Sequence, residues 1–143
     1  MSAAVHSVPT RGAVVALLES AHLPASDLTD AHMEHFFYIG SAESPDAIVG
    51  VELHGSDALL RSLVVSPERR SQGLGRKLVE HAEAHACEHG AVTMYLLTTT
   101  AERFFLSNGY VATPRDSAPP DIRSSREFAS LCPASSAFLS KHL

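Results

Sequence analysis

The residues best suited to chemistry are Arg70-Ser71-Gln72-Gly73-Leu74-Gly75, set between a nonpolar run that Pro67 ends and the clearest amphipathic pattern in the chain. Free backbone N–H groups at a helix start add to the positive end of the helix dipole, so an anion can be held there. Gly73 and Gly75 remove side chains that would keep a pyrophosphate from the backbone, and Arg69, Arg70 and Arg76 add positive charge nearby. Helix-capping glycines and solvated arginines are the plainer explanation for any one of these residues, but the ordered set favours phosphate binding. Two nucleotide loops do not fit. A P-loop needs Gly-Lys followed by Ser or Thr, whereas Gly75-Arg76-Lys77-Leu78 stands here, and the dinucleotide fingerprint needs a third glycine where Leu78 lies.

Proton chemistry points to Glu52 and His54, which share a face if 47–55 is a regular strand; an exposed glutamate and a turn histidine are the equally weighted alternative. Arg61 interrupts an apolar strand. A buried cation needs a partner, so Arg61 either pairs with a structural carboxylate or faces a cleft and receives an anionic substrate group, and the cleft is the preferred expectation. Thr98, Thr99 and Thr100 offer hydroxyls at a strand end, with Thr98 the candidate substrate contact. His81, His85 and His89 recur every four residues, yet no carboxylate or cysteine motif completes a metal site, so packed, hydrogen-bonded rings and no metal are expected. Cys132, beside Pro133, is expected to be structural.

The elements that must position these residues alternate along the chain. Val14, Val15, Leu17 and Leu18 have helical spacing within 13–20, and a helical turn over 30–33 leads into a strand from His35 to Ile39. Ala47 to Leu53 and Ala58 to Val65 read as an antiparallel hairpin turned by Gly55-Ser56-Asp57. After Pro67, Leu74, Leu78, Val79, Ala82 and Ala86 mark one face of a helix that Gly90 stops, and Val92 to Thr98 resumes extended structure. A short helix over 101–108 and a strand over 110–113 follow. Pro119-Pro120 opens a helix expected to run to about Leu131, and Ser136 to Leu139 is expected as a last, edge strand. The pattern is an α/β sandwich with mixed strand directions.

A chain of 143 residues supports one domain spanning 1–143 and one site. Its 45% hydrophobic content and the lack of a long apolar run exclude a bilayer-spanning helix. A net charge of −5 offers no broad attraction to nucleic acid or anionic membrane. No secretory signal is readable, and Cys87 and Cys132 lie far apart, so a reducing cytoplasm with two free thiols is expected. The partner class is a small molecule.

The pattern Arg70-x-x-Gly73-x-Gly75 after Leu63-Val64-Val65-Ser66-Pro67 resembles the coenzyme A motif of the GCN5-related N-acetyltransferase (GNAT) superfamily. Ala101-x-x-Phe104-Phe105-x-x-x-Gly109-Tyr110 is similar to the helix and strand that follow the cofactor cleft there. The resemblance covers about half of the chain. It implies a mixed sheet flanked by helices on both faces, and an N-acetyltransferase that moves acetyl from acetyl-CoA to a small amine. It also implies that the backbone of Leu63, Val64 and Val65 pairs with the pantetheine arm, and that the amides of Arg70, Ser71, Gln72, Gly73, Leu74 and Gly75, with Arg76 beside them, hold the pyrophosphate. Three stretches, 59–63, 95–102 and 131–136, resemble a subgroup named for arsenic-resistance operons, which implies a small substrate such as an amino acid or its arsenical analogue. A terminal strand in this architecture can exchange between subunits, which leaves room for a homodimer.

An amine with a pKa of about 10 must lose a proton before it attacks a thioester, and the expelled thiolate gains from a general acid. Many family members place a tyrosine where this chain has Phe105, and an asparagine where it has Thr98. Some use a glutamate early in the cofactor strand, where Leu59 and Leu60 stand. Catalysis then rests on proximity or on groups from elsewhere, with Glu52 and His54 the candidates. The competing expectation is a degenerate member that binds acyl-CoA as a sensor or interaction module without turnover.

Overall fold

The structure, a computed structural model, describes residues 4–133 and 135–143. Strand β1, His6–Ser7, precedes helix α1, Arg11–Ser20, whose start is fixed by Thr10: its hydroxyl accepts the Ala13 N–H at 3.3 Å. A 3-10 segment, Asp30–His35, leads to β2, Phe36–Gly40. Strands β3, Pro45–His54, and β4, Asp57–Val65, form the expected hairpin, with Gly55 at φ 69° in the turn. Helix α2, Leu74–Glu88, crosses over to β5, Thr93–Thr98, which runs parallel to β4. Helix α3, Glu102–Ser107, strand β6, Val111–Ala112, helix α4, Pro120–Arg123, and strand β7, Ala137–His142, complete the chain. The seven strands order as β1-β2-β3-β4-β5-β7-β6.

Alternating side chains divide the core between two faces of the sheet. On one face, Leu74, Leu78, Val79, Ala82 and Ala86 of α2 and Phe105 of α3 pack on Val49, Val51, Leu60 and Leu96. These five α2 residues are the apolar stripe legible in the sequence. On the other face, Val14 and Leu18 of α1 pack on Phe36, Ile48 and Val64, while Ile122 of α4 packs on Leu59 and Phe138. The mixed sheet is therefore flanked by helices on both faces.

Two expectations about the C-terminal third are corrected. The helix after Pro119-Pro120 ends at Arg123, and a separate π-helical turn spans Glu127–Leu131. Serine hydroxyls compete for the backbone there. Ser125 Oγ donates to Ile122 O at 2.7 Å and accepts the Phe128 N–H at 3.3 Å, so the ladder cannot simply continue. The last strand, in turn, is not at an edge. β7 lies between β5 and β6 and pairs with β5 from Thr93↔His142 to Thr98↔Ala137, leaving the two-residue β6 as the edge.

Candidate active site

Strands β4 and β5 pair only at Asp57↔Thr93, Ala58↔Met94 and Leu59↔Tyr95. Beyond that point β4 stays with β3 as far as Ala47↔Val65, while β5 stays with β7 as far as Thr98↔Ala137, so the two strands part. The gap leads into a cleft of about 850 Å³, lined by Leu60–Leu63 of β4, Leu96–Ala101 at the end of β5, and Phe105. A β-bulge shapes the β4 wall. Gly50 and Ile48 on β3 face Arg61 and Val64, so β4 carries one extra residue, and Ser62 takes φ 61°. A non-glycine residue in that region costs about 1–2 kcal/mol, which is held here at the cleft wall.

At the end of β4 the chain reaches the glycine loop. Gly73 is the N-cap of α2 at φ 77°, and among the described residues no side chain caps the helix. The first-turn amides of α2 therefore have no competing side-chain acceptor at the cap. A Cβ on Gly73 would meet nothing within 4 Å, so the space in front of this helix start is open. Gly75 has a packing task as well. A Cβ there would lie 3.3 Å from Phe104 Cζ and 3.7 Å from Val65 Cγ2, so this glycine lets α2 pack against α3 and β4. Arg69 is reassigned. Its guanidinium pairs with Asp46 at 2.7 Å and donates to Gln72 Oε1 at 3.0 Å, which fixes the loop rather than supplying a free charge. Arg70 donates to Val65 O at 3.4 Å, and Arg76 is exposed with Glu80 3.9 Å away.

Deeper in the cleft, Arg61 is buried and all five of its N–H donors are engaged. Nε donates to Ser62 Oγ at 3.1 Å, Nη1 to Asp27 Oδ2 at 2.5 Å and Glu52 Oε2 at 2.8 Å, and Nη2 to Asp27 Oδ1 at 2.9 Å. Nη2 also pairs with Glu127 Oε1 at 2.9 Å. Hence the expectation that Arg61 receives an anionic substrate group is corrected: three carboxylates already saturate it. Burial opposes ionisation of Asp27, but the Arg61 hydrogen bonds and charge outweigh it and hold this carboxyl below its ordinary value. Glu127 goes the other way. Burial raises it, Arg61 and the Cys132 thiol pull it down, and Asp27 and Glu52 push it up again, leaving it above the usual range. Cys132 Sγ donates to Glu127 Oε2 at 2.7 Å; burial, then that hydrogen bond, push the thiol up to about 12.

Glu52 and His54 do share a face, with His54 Nε2 3.3 Å from Glu52 Oε1. They open on a second groove of about 260 Å³ with Thr29, His32 and His35, and neither lines the larger cleft. Thr98 does line the cleft, and its Oγ1 accepts the Ala101 N–H at 2.9 Å, starting the turn into α3. Phe105, also a lining residue, packs edge-on against Phe104 and Tyr110. The histidine row is joined by His35, whose Nδ1 lies 3.0 Å from His85 Nε2; burial and then the neighbouring rings lower the His85 pKa. Asp27, His32 and Glu52 place ligand-type atoms within 4.8 Å of one another, but the Arg61 guanidinium already occupies both carboxylates. Asp27 and Glu127 escaped the sequence reading. Neither sits in a motif, and an isolated arginine in an apolar strand gives the number of its partners no signature. Ala134, within the stretch 131–136, lies outside the described residues.

The acetyltransferase (GNAT) domain family matches residues 33–112, from the segment before β2 to β6. The chain is 38% identical over 61 residues to an amino-acid acetyltransferase of Ralstonia nicotianae, and 40% identical over 65 residues to an uncharacterised N-acetyltransferase of Chlorobaculum tepidum. Those alignments take in 43% and 46% of this chain but only 14% and 41% of the relatives' lengths. Among solved structures, N-acetylglutamate synthase from Neisseria gonorrhoeae, complexed with coenzyme A and N-acetyl-glutamate, superposes with a TM-score of 0.84 at 17% identity. All of this chain and 35% of that one are covered. A Mycobacterium tuberculosis protein solved with CoA superposes with a TM-score of 0.78 at 15% identity, over 98% of this chain and 99% of the other. At these identities the superpositions speak for the fold.

Proposed function

The chain belongs to the GNAT acetyltransferase family, and we propose that it transfers acetyl from acetyl-CoA to the amine of a small molecule, acting as one unit over 1–143. The observation that carries this reading is the parting of β4 and β5, which opens a cleft lined by Arg61 and the buried Glu127, while the chain leaves β4 for the uncapped start of α2. In this reading the amides of 70–76 hold the pyrophosphate, the backbone of Leu63, Val64 and Val65 pairs with the pantetheine arm, and the thioester reaches the bulge at Ser62. A backbone N–H there stabilises the oxyanion that forms when the amine attacks. Thr98 faces the acceptor. Glu52 and His54 act as positioning residues, through the Glu52–Arg61 contact. An amino acid is the first acceptor to try, since amino-acid acetylation is the named activity of one relative. An arsenical amino acid is the second, on the similarity of 59–63, 95–102 and 131–136. Free Cys87 and Cys132 suit a cytoplasmic reaction.

The test is a panel of amino acids, alkylamines, aminophosphonates and arsenical amino acids incubated with acetyl-CoA, reading free thiol and acetylated product by mass spectrometry. Product with one class identifies the acceptor, whereas no product with any amine refutes turnover. Phe105 supports the competing reading of a binding module, because it puts a ring without a hydroxyl at the cleft. That reading requires calorimetric acetyl-CoA binding and an empty product panel.

A further inference from the structure

Glu127 and Ser136 lie on the cleft wall contributed by the segment between α4 and β7, away from the motif-bearing elements. Both are buried, at 7% and 5% exposure. Ser136 Oγ has no hydrogen-bond partner among the described residues. A buried hydroxyl without a partner is unfavourable, and a ligand group that reaches it removes the penalty. Among the described residues each Glu127 oxygen has one contact, Arg61 on Oε1 and the Cys132 thiol on Oε2, so acceptor capacity remains. We propose that Glu127 and Ser136 form the acceptor subsite, where Glu127 takes the proton of the incoming ammonium and the Ser136 hydroxyl bonds a polar group of the same molecule. This inference rests on the acetyl-transfer reading and assigns the residue that makes the amine nucleophilic.

Charge decides the substrate class. The groups facing Glu127 are Arg61, Cys132, Asp27 and Glu52. Around Glu127 one guanidinium stands among three carboxylates, so two negative charges remain there when all are ionised, and Arg61 has no donor left for a substrate carboxylate; Arg115, which donates to Ser136 O at 2.9 Å, and Arg11 on the cleft wall are the other cations near the subsite. At Glu127 the subsite therefore favours the ammonium group of a primary amine, and any carboxylate of the same acceptor must find its partner away from Arg61. Burial also brings Glu127 closer to neutrality than an exposed carboxylate, which makes it a better base. In the step, one ammonium proton moves to Glu127 and the freed lone pair forms the N–C bond to the acetyl carbonyl. The tetrahedral intermediate then collapses with cleavage of the C–S bond. The thiolate of coenzyme A takes a second proton from the attacking nitrogen, and Glu127 returns its proton to solvent, leaving amide and free thiol.

The experiment measures amine acetylation across neutral to alkaline pH in wild type, E127Q and S136A, with acetyl-CoA affinity by calorimetry. E127Q is expected to lower kcat/KM for the amine about 100-fold or more. Its residual rate should climb with pH as free amine accumulates, and acetyl-CoA binding should be unchanged. S136A should raise the amine KM about tenfold with kcat retained. Wild-type rates and pH profile in E127Q overturn the base assignment, and an unchanged amine KM in S136A overturns the hydroxyl contact. If E127Q does not fold, Glu127→Asp keeps a negative charge facing Arg61 but draws the carboxylate back by one methylene; full kcat in that variant sinks the proposal. A wild type that acetylates no amine removes the acetyl-transfer reading and this inference together, whereas active wild type with unaffected variants removes this inference alone.

Discussion

Arg61 gathers Asp27 from the loop after α1, Glu52 from β3 and Glu127 from the π-helical turn, so segments distant in sequence meet at one guanidinium. Removing it would leave three buried carboxylates facing one another. Arg61→Ala is expected to destabilise the fold by about 3–5 kcal/mol, read from denaturant unfolding at neutral pH. The deficit should shrink on acidification, as protonation relieves the repulsion; a variant as stable as wild type refutes the hub. Asp27 supplies the pH signature. Its pKa is lowered on folding, so its contribution is present above the unfolded value and is lost as pH falls through the folded one. Asp27→Asn should flatten the acid limb of stability against pH. Glu127 has the opposite sign: its pKa is raised on folding, so its contribution is greatest below the unfolded value and declines as pH rises through the folded one.

Helix α2 carries two glycines with separate tasks, and substitution separates them. Gly73 has φ 77° and open space, so Gly73→Val should cut acetyl-CoA affinity in calorimetry while lowering stability by only about 1–2 kcal/mol. Gly75→Val has Phe104 in its way and should lower the unfolding midpoint, with partial recovery when Phe104 is also shortened to Leu. Equal affinity in wild type and the Gly73 variant would remove the anion site from this helix start. Strand β4 likewise combines two properties, since it is paired along β3 yet interrupted by the bulge at Ser62. Neither Ser62 nor Leu63 has a bulge signature in the sequence, where glycine would be the usual marker. The broken C-terminal helix is a similar case. Its serines fit a helix interior or a helix end equally well until their hydroxyls find Asp121 O and Ile122 O.

Across the molecule, the parting of β4 from β5 leaves one side of β4 without a strand neighbour beyond Leu59. Backbone amides of 60–65 that point away from β3 should exchange rapidly with solvent in the free protein and slow on saturation with coenzyme A, as followed by hydrogen exchange. No change in protection would mean that the pantetheine arm does not run along β4. Helices α1, α2 and α3, the hairpin, the crossover and the glycine loop were legible in the residues, because each follows from local periodicity, turn chemistry or the freedom of glycine at a helix start. The short-range Glu52–His54 pairing was legible for the same reason: a strand places alternate residues on one face. Local pattern also made Arg61 conspicuous, but not its partners. Which carboxylates close on it, which side of the sheet they approach from, and whether its donors remain free depend on how α1, β3 and the 127–131 turn meet across the sheet. Those contacts join residues 34 and 66 positions from Arg61, and no local periodicity reaches that far. The same limit hid the seat of β7, whose alternation suits an edge or an interior strand until β6 pairs along its outer side.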